Sequence, residues 1–344
     1  MRYKQLKIPR EFVFFVTDKC PLRCHHCFYW RSLTRDATEL GFEQIKAICS
    51  SFKYPIDNII LTGGEPFLRD DLAEICHLFS KFNKTENIQI LTNGYFPETI
   101  YSTVKKILET SKLNLVIQVS LDGLKETHNL IRNDKESYDR AVRTIRLLKE
   151  FEIKSGLEVR VATTICQKNF HELENLAIFV RRNLEVRRHI FDVIRDISCY
   201  GNVFKDCGEQ EYGPKDKSIL LSLEQLKLLK SRIKKILFHA PFCNIKDFPY
   251  RIYFSYILKI SIDSIIKKRR RFPCSAGHSI GVIYAPGDVA FCEITKPIGN
   301  LKEANLDLNK IWDSEEAHKR RLQVKDCYCS HTCYLFAYFR NCLR

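Results

Sequence analysis

Between residues 11 and about 195, short β-branched and aromatic runs alternate with amphipathic stretches whose apolar positions recur every three or four residues. That alternation constrains the fold more than any other feature, because strands separated by helix-length connections pair in parallel. Six βα units are predicted, with strands at 12–17, 58–61, 88–91, 115–119, 157–163 and 189–194. Helices are predicted between them at 38–51, 71–81, 97–110, 137–151 and 170–184. The expected fold class is α/β, a partial (β/α)6 TIM-like barrel with a small C-terminal cysteine-rich domain.

After Arg195 the pattern gives way to a glycine-containing, charged loop over 201–217 and a predicted helix over 223–238. A second helical stretch, 248–271, ends in five consecutive basic residues, and a cysteine-rich segment follows from Pro273. The expected domains are therefore a core barrel at 1–200, a helical connection at 201–272 and a cysteine-rich domain at 273–344. A chain of 344 residues is long enough to bury one barrel-sized core and a smaller appendage.

Fifteen cysteines suit either a disulfide framework or metal ligation. With no secretory signal after the basic start and no twenty-residue apolar run, the expected compartment is the cytoplasm, where thiols stay reduced and metal is the better reading. Position decides more than number. Cys20, Cys24 and Cys27 crowd one end, and Cys274, Cys292, Cys327, Cys329 and Cys333 the other. The remaining seven, Cys49, Cys76, Cys166, Cys199, Cys207, Cys243 and Cys342, are read as buried or incidental thiols. The formal charge of +15 sits largely in local runs such as 267–271, without a nucleic-acid module, so it is read as solvated surface.

In parallel βα architectures reactive groups collect on the loops after the carboxyl ends of strands. Cys20, Cys24 and Cys27 follow the first strand, Gly63, Gly64, Glu65 and Pro66 the second, Thr92, Asn93 and Gly94 the third, and Ser120, Leu121, Asp122 and Gly123 the fourth. Three thiols in eight residues can surround one metal centre. A zinc site formed by the same cysteines with His25 or His26 satisfies the same spacing.

The CxxxCxxC spacing directly after a first strand resembles the signature of the radical S-adenosylmethionine (SAM) superfamily. There, three cysteines leave one iron of a 4Fe-4S cluster free to chelate the amino and carboxylate groups of SAM, whose reductive cleavage gives methionine and a 5′-deoxyadenosyl radical. The GGEP segment is similar to that superfamily's site for the SAM amino group, with Glu65 an acceptor for the ammonium. Ser120, Asp122, His128 and Arg132 resemble its SxDGxxxxHxxxR segment, which lines the SAM pocket. Ser120 is then a SAM contact, whereas Asp122 and Arg132 are SAM-pocket residues or, equally, a cap and a pair at the start of the fourth helix. Asn93 belongs to a TNG turn that is architectural or faces the pocket.

The ordered series from Cys274 through Cys292 to Cys327, Cys329 and Cys333 resembles the SPASM/twitch extension of these enzymes, which holds auxiliary iron-sulfur clusters. Five cysteines suffice for one auxiliary 4Fe-4S cluster: Cys274, Cys292 and two of Cys327, Cys329 and Cys333. A zinc ribbon using His331 is the competing reading. The resemblance implies an oxidoreductase or maturase acting on a peptide, with a sugar, cofactor precursor or lipid intermediate as the alternative substrate. It also implies an external one-electron reductant such as flavodoxin or ferredoxin, and no nucleic-acid partner. A zinc-binding interaction protein is the alternative of another class. The 248–271 stretch reads as a helix packed between domains, with a membrane-surface contact less favoured.

Overall fold

The computed structural model describes residues 9–34, 38–195, 213–239 and 247–324. All six predicted strands are present: β1 (Glu11–Thr17), β2 (Asn58–Gly63), β3 (Asn87–Thr92), β4 (Asn114–Ser120), β5 (Glu158–Ile165) and β6 (Arg188–Val193), each parallel to the next. Between them run α1 (Phe42–Ser51), α2 (Leu72–Asn83), α3 (Pro97–Thr110), α4 (Lys125–Arg132), α5 (Ser137–Ser155) and α6 (Leu173–Arg182). Helix α4 was not predicted as a separate element. Only His128, Ile131 and Arg132 are buried in it, so it carries no apolar stripe to read. It stops at Asn133, which takes the left-handed conformation (φ 55°) that asparagine tolerates.

Strand β1 is covered on both faces, as central parallel strands are. Phe12 and Phe14 point outward to the helices, meeting Phe52 and Phe79 edge to face at 5.3 and 6.2 Å. Val13 and Phe15 point into the barrel and pack with Tyr29, Val282 and Tyr284. Strand β5 shows the other pattern: Val159 and Val161 lie buried in the main core, while Arg160, Ala162 and Thr164 line a half-open lumen. Between the neighbouring strands β3 and β4 the Gln89 side chain donates to Gln118 at 2.9 Å.

Helices α7 (Leu223–His239) and α8 (Asp247–Ile266) pack on one another, with α7 against α6 and α8 against β6. Phe254, Leu258 and Ile262 of α8 enter a second core cluster with residues of β6, α6 and α7. The helix ends before the basic run at 267–271, which the sequence had placed inside it. No helix of the described residues is long and apolar enough to cross a membrane.

The C-terminal segment contributes β7 (Ile280–Ile283), β8 (Asp288–Ala290), β9 (Gly299–Asn300), α9 (Leu308–Trp312) and α10 (Glu315–Val324). Strand β7 pairs in parallel with β1, and one nine-stranded sheet runs β6-β5-β4-β3-β2-β1-β7-β8-β9. Trp312 is fully buried at this joint, 4.9 Å from Phe291 and 6.4 Å from Phe12 between ring centroids.

Candidate active site and cysteine loops

The loop that leaves β1 is held on three sides before any cysteine is considered. Glu39 accepts from the Thr17 hydroxyl at 2.8 Å and the Asp18 amide at 2.7 Å. The His25 amide donates to the Ile131 carbonyl of α4 at 2.9 Å, and the Tyr29 hydroxyl to Asp18 at 2.5 Å. Cys24 is buried on this loop, and Cys20 and Cys27 are partly buried.

Two polar side chains aim at the sulfurs. The Asn93 amide lies 3.8 Å from Cys20 Sγ, and Arg132 Nη1 lies 3.8 Å from Cys24 Sγ. Burial pushes the Cys20 and Cys27 thiols up to about 12 and raises Cys24 as well, with Arg132 opposing the rise. Bare thiolates are thus disfavoured here, and a metal centre is what would displace their protons. A soft thiolate set with one buried cation and one amide donor beside it fits an iron-sulfur cluster, whose sulfurs accept such hydrogen bonds.

Asp122 anchors this cation. Arg132 Nη2 pairs with its carboxylate at 2.7 Å, and both side chains are nearly inaccessible. The other carboxylate oxygen accepts from the Thr164 amide at 2.8 Å, its carbonyl accepts from Asn169 at 2.6 Å, and its amide donates to His128 Nδ1 at 3.0 Å. Burial alone would raise the Asp122 carboxyl, but Arg132, His26 and His128 hold it below the ordinary carboxylate range. The helix cap considered for Asp122 is not formed. The residue preceding α4 is Leu124, and its amide is met by Glu172 at 2.8 Å. His26 turns its Nε2 towards Asp122 at 3.7 Å. Among the described residues no three histidine, cysteine, aspartate or glutamate side chains converge on a single-ion position.

The second strand's turn is built by close approach. A Cβ on Gly64 would stand 2.1 Å from the Lys19 carbonyl oxygen, and one on Gly63 (φ +126°) 2.2 Å from that of Thr17. Only bare backbone lets this turn lie against the cysteine loop, where the Gly64 and Glu65 amides donate to Thr17 and Lys19 at 2.7 and 2.8 Å. Pro66 follows, starting a single 3-10 turn. Glu65, the expected ammonium acceptor, is held within the protein. Its fully buried carboxylate accepts from the Thr92 hydroxyl and the amides of Phe67 and Asn93 at 2.8, 3.2 and 2.8 Å, bracing the turn to β3. Burial pushes it up to about 7, against these three hydrogen bonds. Ser120 ends β4, half-buried on the same rim.

Cys274 and Cys292 flank the β7–β8 hairpin, partly buried and packed on the main core. Cys274 Sγ accepts from the Ala276 amide at 3.5 Å, and a turn closed by Thr295 holds the Cys292 backbone. Cys327, Cys329 and Cys333 lie outside the described residues, as does His331. Arg195, two residues beyond β6, pairs with Glu293 at 2.5 Å.

Sequence reasoning missed Glu39, Asn169 and Glu172, and also Arg69, which ties the Val16 and Leu40 carbonyls to Asp71. Asn169 and Glu172 follow the carboxyl end of β5, the one signal that could have flagged them.

A partial parallel barrel with a three-cysteine loop and glycine-built turns at its strand ends defines an α/β enzyme core of the iron-sulfur kind. Family comparison agrees: the radical SAM superfamily matches residues 14–180, and an iron-sulfur cluster-binding domain, SPASM, matches residues 274–334. The chain belongs to the radical SAM superfamily and carries a C-terminal SPASM domain. Its cofactors are accordingly a 4Fe-4S cluster with SAM and an auxiliary cluster, which displaces the zinc readings.

Among curated proteins, the antilisterial bacteriocin subtilosin biosynthesis protein AlbA of Bacillus subtilis is 30% identical over 182 residues, 52% of this chain and 38% of AlbA. The Fe-coproporphyrin III synthase of Methanosarcina barkeri is 32% identical over 152 residues, covering 43% and 36% of the two chains. The chain thus spans little more than a third of the length of these relatives. Of solved structures, Streptococcus suis SuiB bound to S-adenosylmethionine superposes with a TM-score of 0.63 at 16% identity, over 92% of this chain and 69% of SuiB. SuiB bound to its precursor peptide SuiA superposes with a TM-score of 0.62 at the same identity, over 92% and 67% of the two chains.

Proposed function

We propose that Cys20, Cys24 and Cys27 ligate the 4Fe-4S cluster, and that the chain uses it to modify a peptide. When bound, the cluster supplies the electron that splits SAM into methionine and a 5′-deoxyadenosyl radical able to abstract hydrogen. The chain's own residues do the rest. Arg132 offsets thiolate charge at Cys24 and is itself fixed by Asp122. Asn93 donates towards Cys20 while its own amide is held by Glu65. Gly63, Gly64 and Pro66 shape a backbone-lined wall, and Ser120 offers a hydroxyl on the same rim. Cys274, Cys292 and two of Cys327, Cys329 and Cys333 complete a single auxiliary 4Fe-4S cluster that carries electrons between the active site and an external one-electron reductant.

The observation that carries the reading is the bridging guanidinium of Arg132, one nitrogen on Cys24 Sγ and another on Asp122. Similarity to AlbA, a bacteriocin biosynthesis protein, supports a peptide substrate, as does the likeness in fold to SuiB, seen with its precursor peptide. Similarity to Fe-coproporphyrin III synthase supports the second reading, a small cofactor precursor. The test is iron and sulfide content with low-temperature EPR of anaerobically reconstituted protein, before and after SAM, on the wild type and a Cys20/Cys24/Cys27 triple alanine variant. The expected result is a SAM-dependent spectral change that the variant lacks, and 5′-deoxyadenosine whose yield rises with precursor peptides more than with porphyrin precursors. Iron-loaded wild type with no response to SAM and no nucleoside release would overturn it.

A further inference from the structure

The sheet does not close on itself: its edges are β6 at one end and β9 at the other. Among the described residues, the Arg195 side chain reaches across this open side. Arg195, two residues beyond β6, reaches Glu293 with Nη2 2.5 Å from Oε2, and each side chain is only 14% exposed. The same guanidinium lies 3.7 Å from the centroid of the Phe28 ring. Phe28 is the neighbour of Cys27, and Glu293 is the neighbour of Cys292. A single planar cation therefore touches the residue next to the last cysteine of the first loop and the residue next to a cysteine of the C-terminal set. Arginine suits this place because its flat face stacks on a ring while its edge pairs with a carboxylate, which a lysine ammonium cannot do at once.

A second contact follows the same line. Phe28 packs at 6.2 Å on Tyr29, which stacks nearly parallel (11°) at 6.0 Å on Tyr284 of the segment between Cys274 and Cys292. The two cysteine loops are thus joined by an aromatic column and, through Arg195, by a cation–ring contact and an ion pair.

We propose that Arg195 is a positioning residue, a latch across the open side of the barrel that fixes the Cys27 loop and the Cys292 loop at one separation. This rests on the ligand sets proposed above. The latch sets how strongly the auxiliary cluster and the SAM-binding cluster interact, without contacting SAM or substrate itself.

The test uses the full chain, reconstituted anaerobically and reduced with dithionite so that both clusters are paramagnetic. Their mutual magnetic interaction broadens the EPR signal and speeds spin relaxation, which is read as the microwave power needed to half-saturate the signal. Arg195→Ala is expected to keep wild-type iron and sulfide and the spectral response to SAM, but to lower that power several-fold. Arg195→Lys, which keeps the charge and loses the flat face, falls between the two. The charge-swapped pair Arg195→Glu with Glu293→Arg restores part of the interaction. If Arg195→Ala fails to fold, Glu293→Gln, which keeps shape and removes the charge, answers the same question. Full cluster content with unchanged relaxation in Arg195→Ala, or in Glu293→Gln, would overturn the latch. A wild type with no iron, or with no response to SAM, would instead overturn the ligand assignments.

Discussion

Replacing Arg132 by methionine removes the cation between Asp122 and Cys24 while keeping most of the stem's volume. At 2.7 Å the Asp122–Arg132 attraction is about 6 kcal/mol at an effective dielectric near 20. Much of that offsets the cost of burying both charges, so the net effect of the pair is far smaller. Removing one partner is different, because the other is left charged and dry, and such lesions cost about 3–5 kcal/mol. That is a large fraction of the roughly 5–15 kcal/mol available to a folded protein.

The pH dependence supplies a sharper check. In the wild type Asp122 is held below the ordinary range, so its contribution is present above the unfolded carboxylate value of about 3.9 and is lost as pH falls. In Arg132→Met the largest influence opposing the desolvation of Asp122 is gone, leaving only His26, His128 and the Thr164 amide, and its pKa rises. Above about pH 4 the folded variant then keeps a proton that the unfolded chain has released, so stability falls as pH rises. The difference between variant and wild type should therefore widen as pH rises above about 4. Guanidinium denaturation of the anaerobic protein at several pH values measures it, with Asp122→Asn and the double variant completing a cycle. The double variant should lose less than the sum of the singles by about 1–3 kcal/mol. Additive losses, or a pH-independent difference, would refute the buried-pair account.

Three further outcomes are expected. Gly64→Ala should lose most of its SAM-induced spectral change, because its Cβ would meet the Lys19 carbonyl at 2.1 Å and push the turn off the cysteine loop; iron content and EPR report it. Cys24→Ala should lower iron per chain sharply, whereas Cys76→Ala, on the buried face of α2, should leave iron unchanged and cost only modest stability. Trp312→Ala should lower stability by about 3–5 kcal/mol, measured by chemical denaturation, because a fully buried indole leaves a cavity between β1 and β7.

The barrel was legible in the sequence because each strand is a short β-branched or aromatic run and each helix a 3.6-residue stripe, both local signals. Helix α3 matches its predicted limits, since Pro97 opens it and its buried positions Ile100, Val104 and Ile107 keep the period. The cysteine loop and its companions at successive strand ends were equally legible, because parallel pairing brings residues far apart in the chain to one rim. What stayed hidden depends on side-chain direction. The Glu65 carboxylate faces three protein donors, and nothing in the GGEP segment itself reveals that they lie at Phe67, Thr92 and Asn93. Arg195 turns to a carboxylate 98 residues away. Helix α4 was invisible for the opposite reason, having a polar surface and no stripe.

The joint between β1 and β7 was not foreseen either, and it bears on how the two cysteine sets relate. A Cβ on Gly281 would lie 2.6 Å from the Phe12 ring and 3.1 Å from Trp312, so only glycine allows β7 to sit this tightly. Register then fixes direction. Phe14 lies beside Ile283, and Val282 faces Ala290, so the hairpin returns towards the amino end of β1 before reaching Cys292. Cys20 instead follows the carboxyl end of β1. The seven residues of β1, at about 3.3 Å each, set a separation of roughly 20 Å between the ends of this shared sheet. The Cys20–Cys27 loop folds back over the lumen side of β1, where Phe28 and Tyr29 pack, and so shortens the gap from one side. The strand thus acts as a rigid spacer between the two cysteine sets, and the Arg195 contact with Phe28 and Glu293 holds the open side at a matching separation.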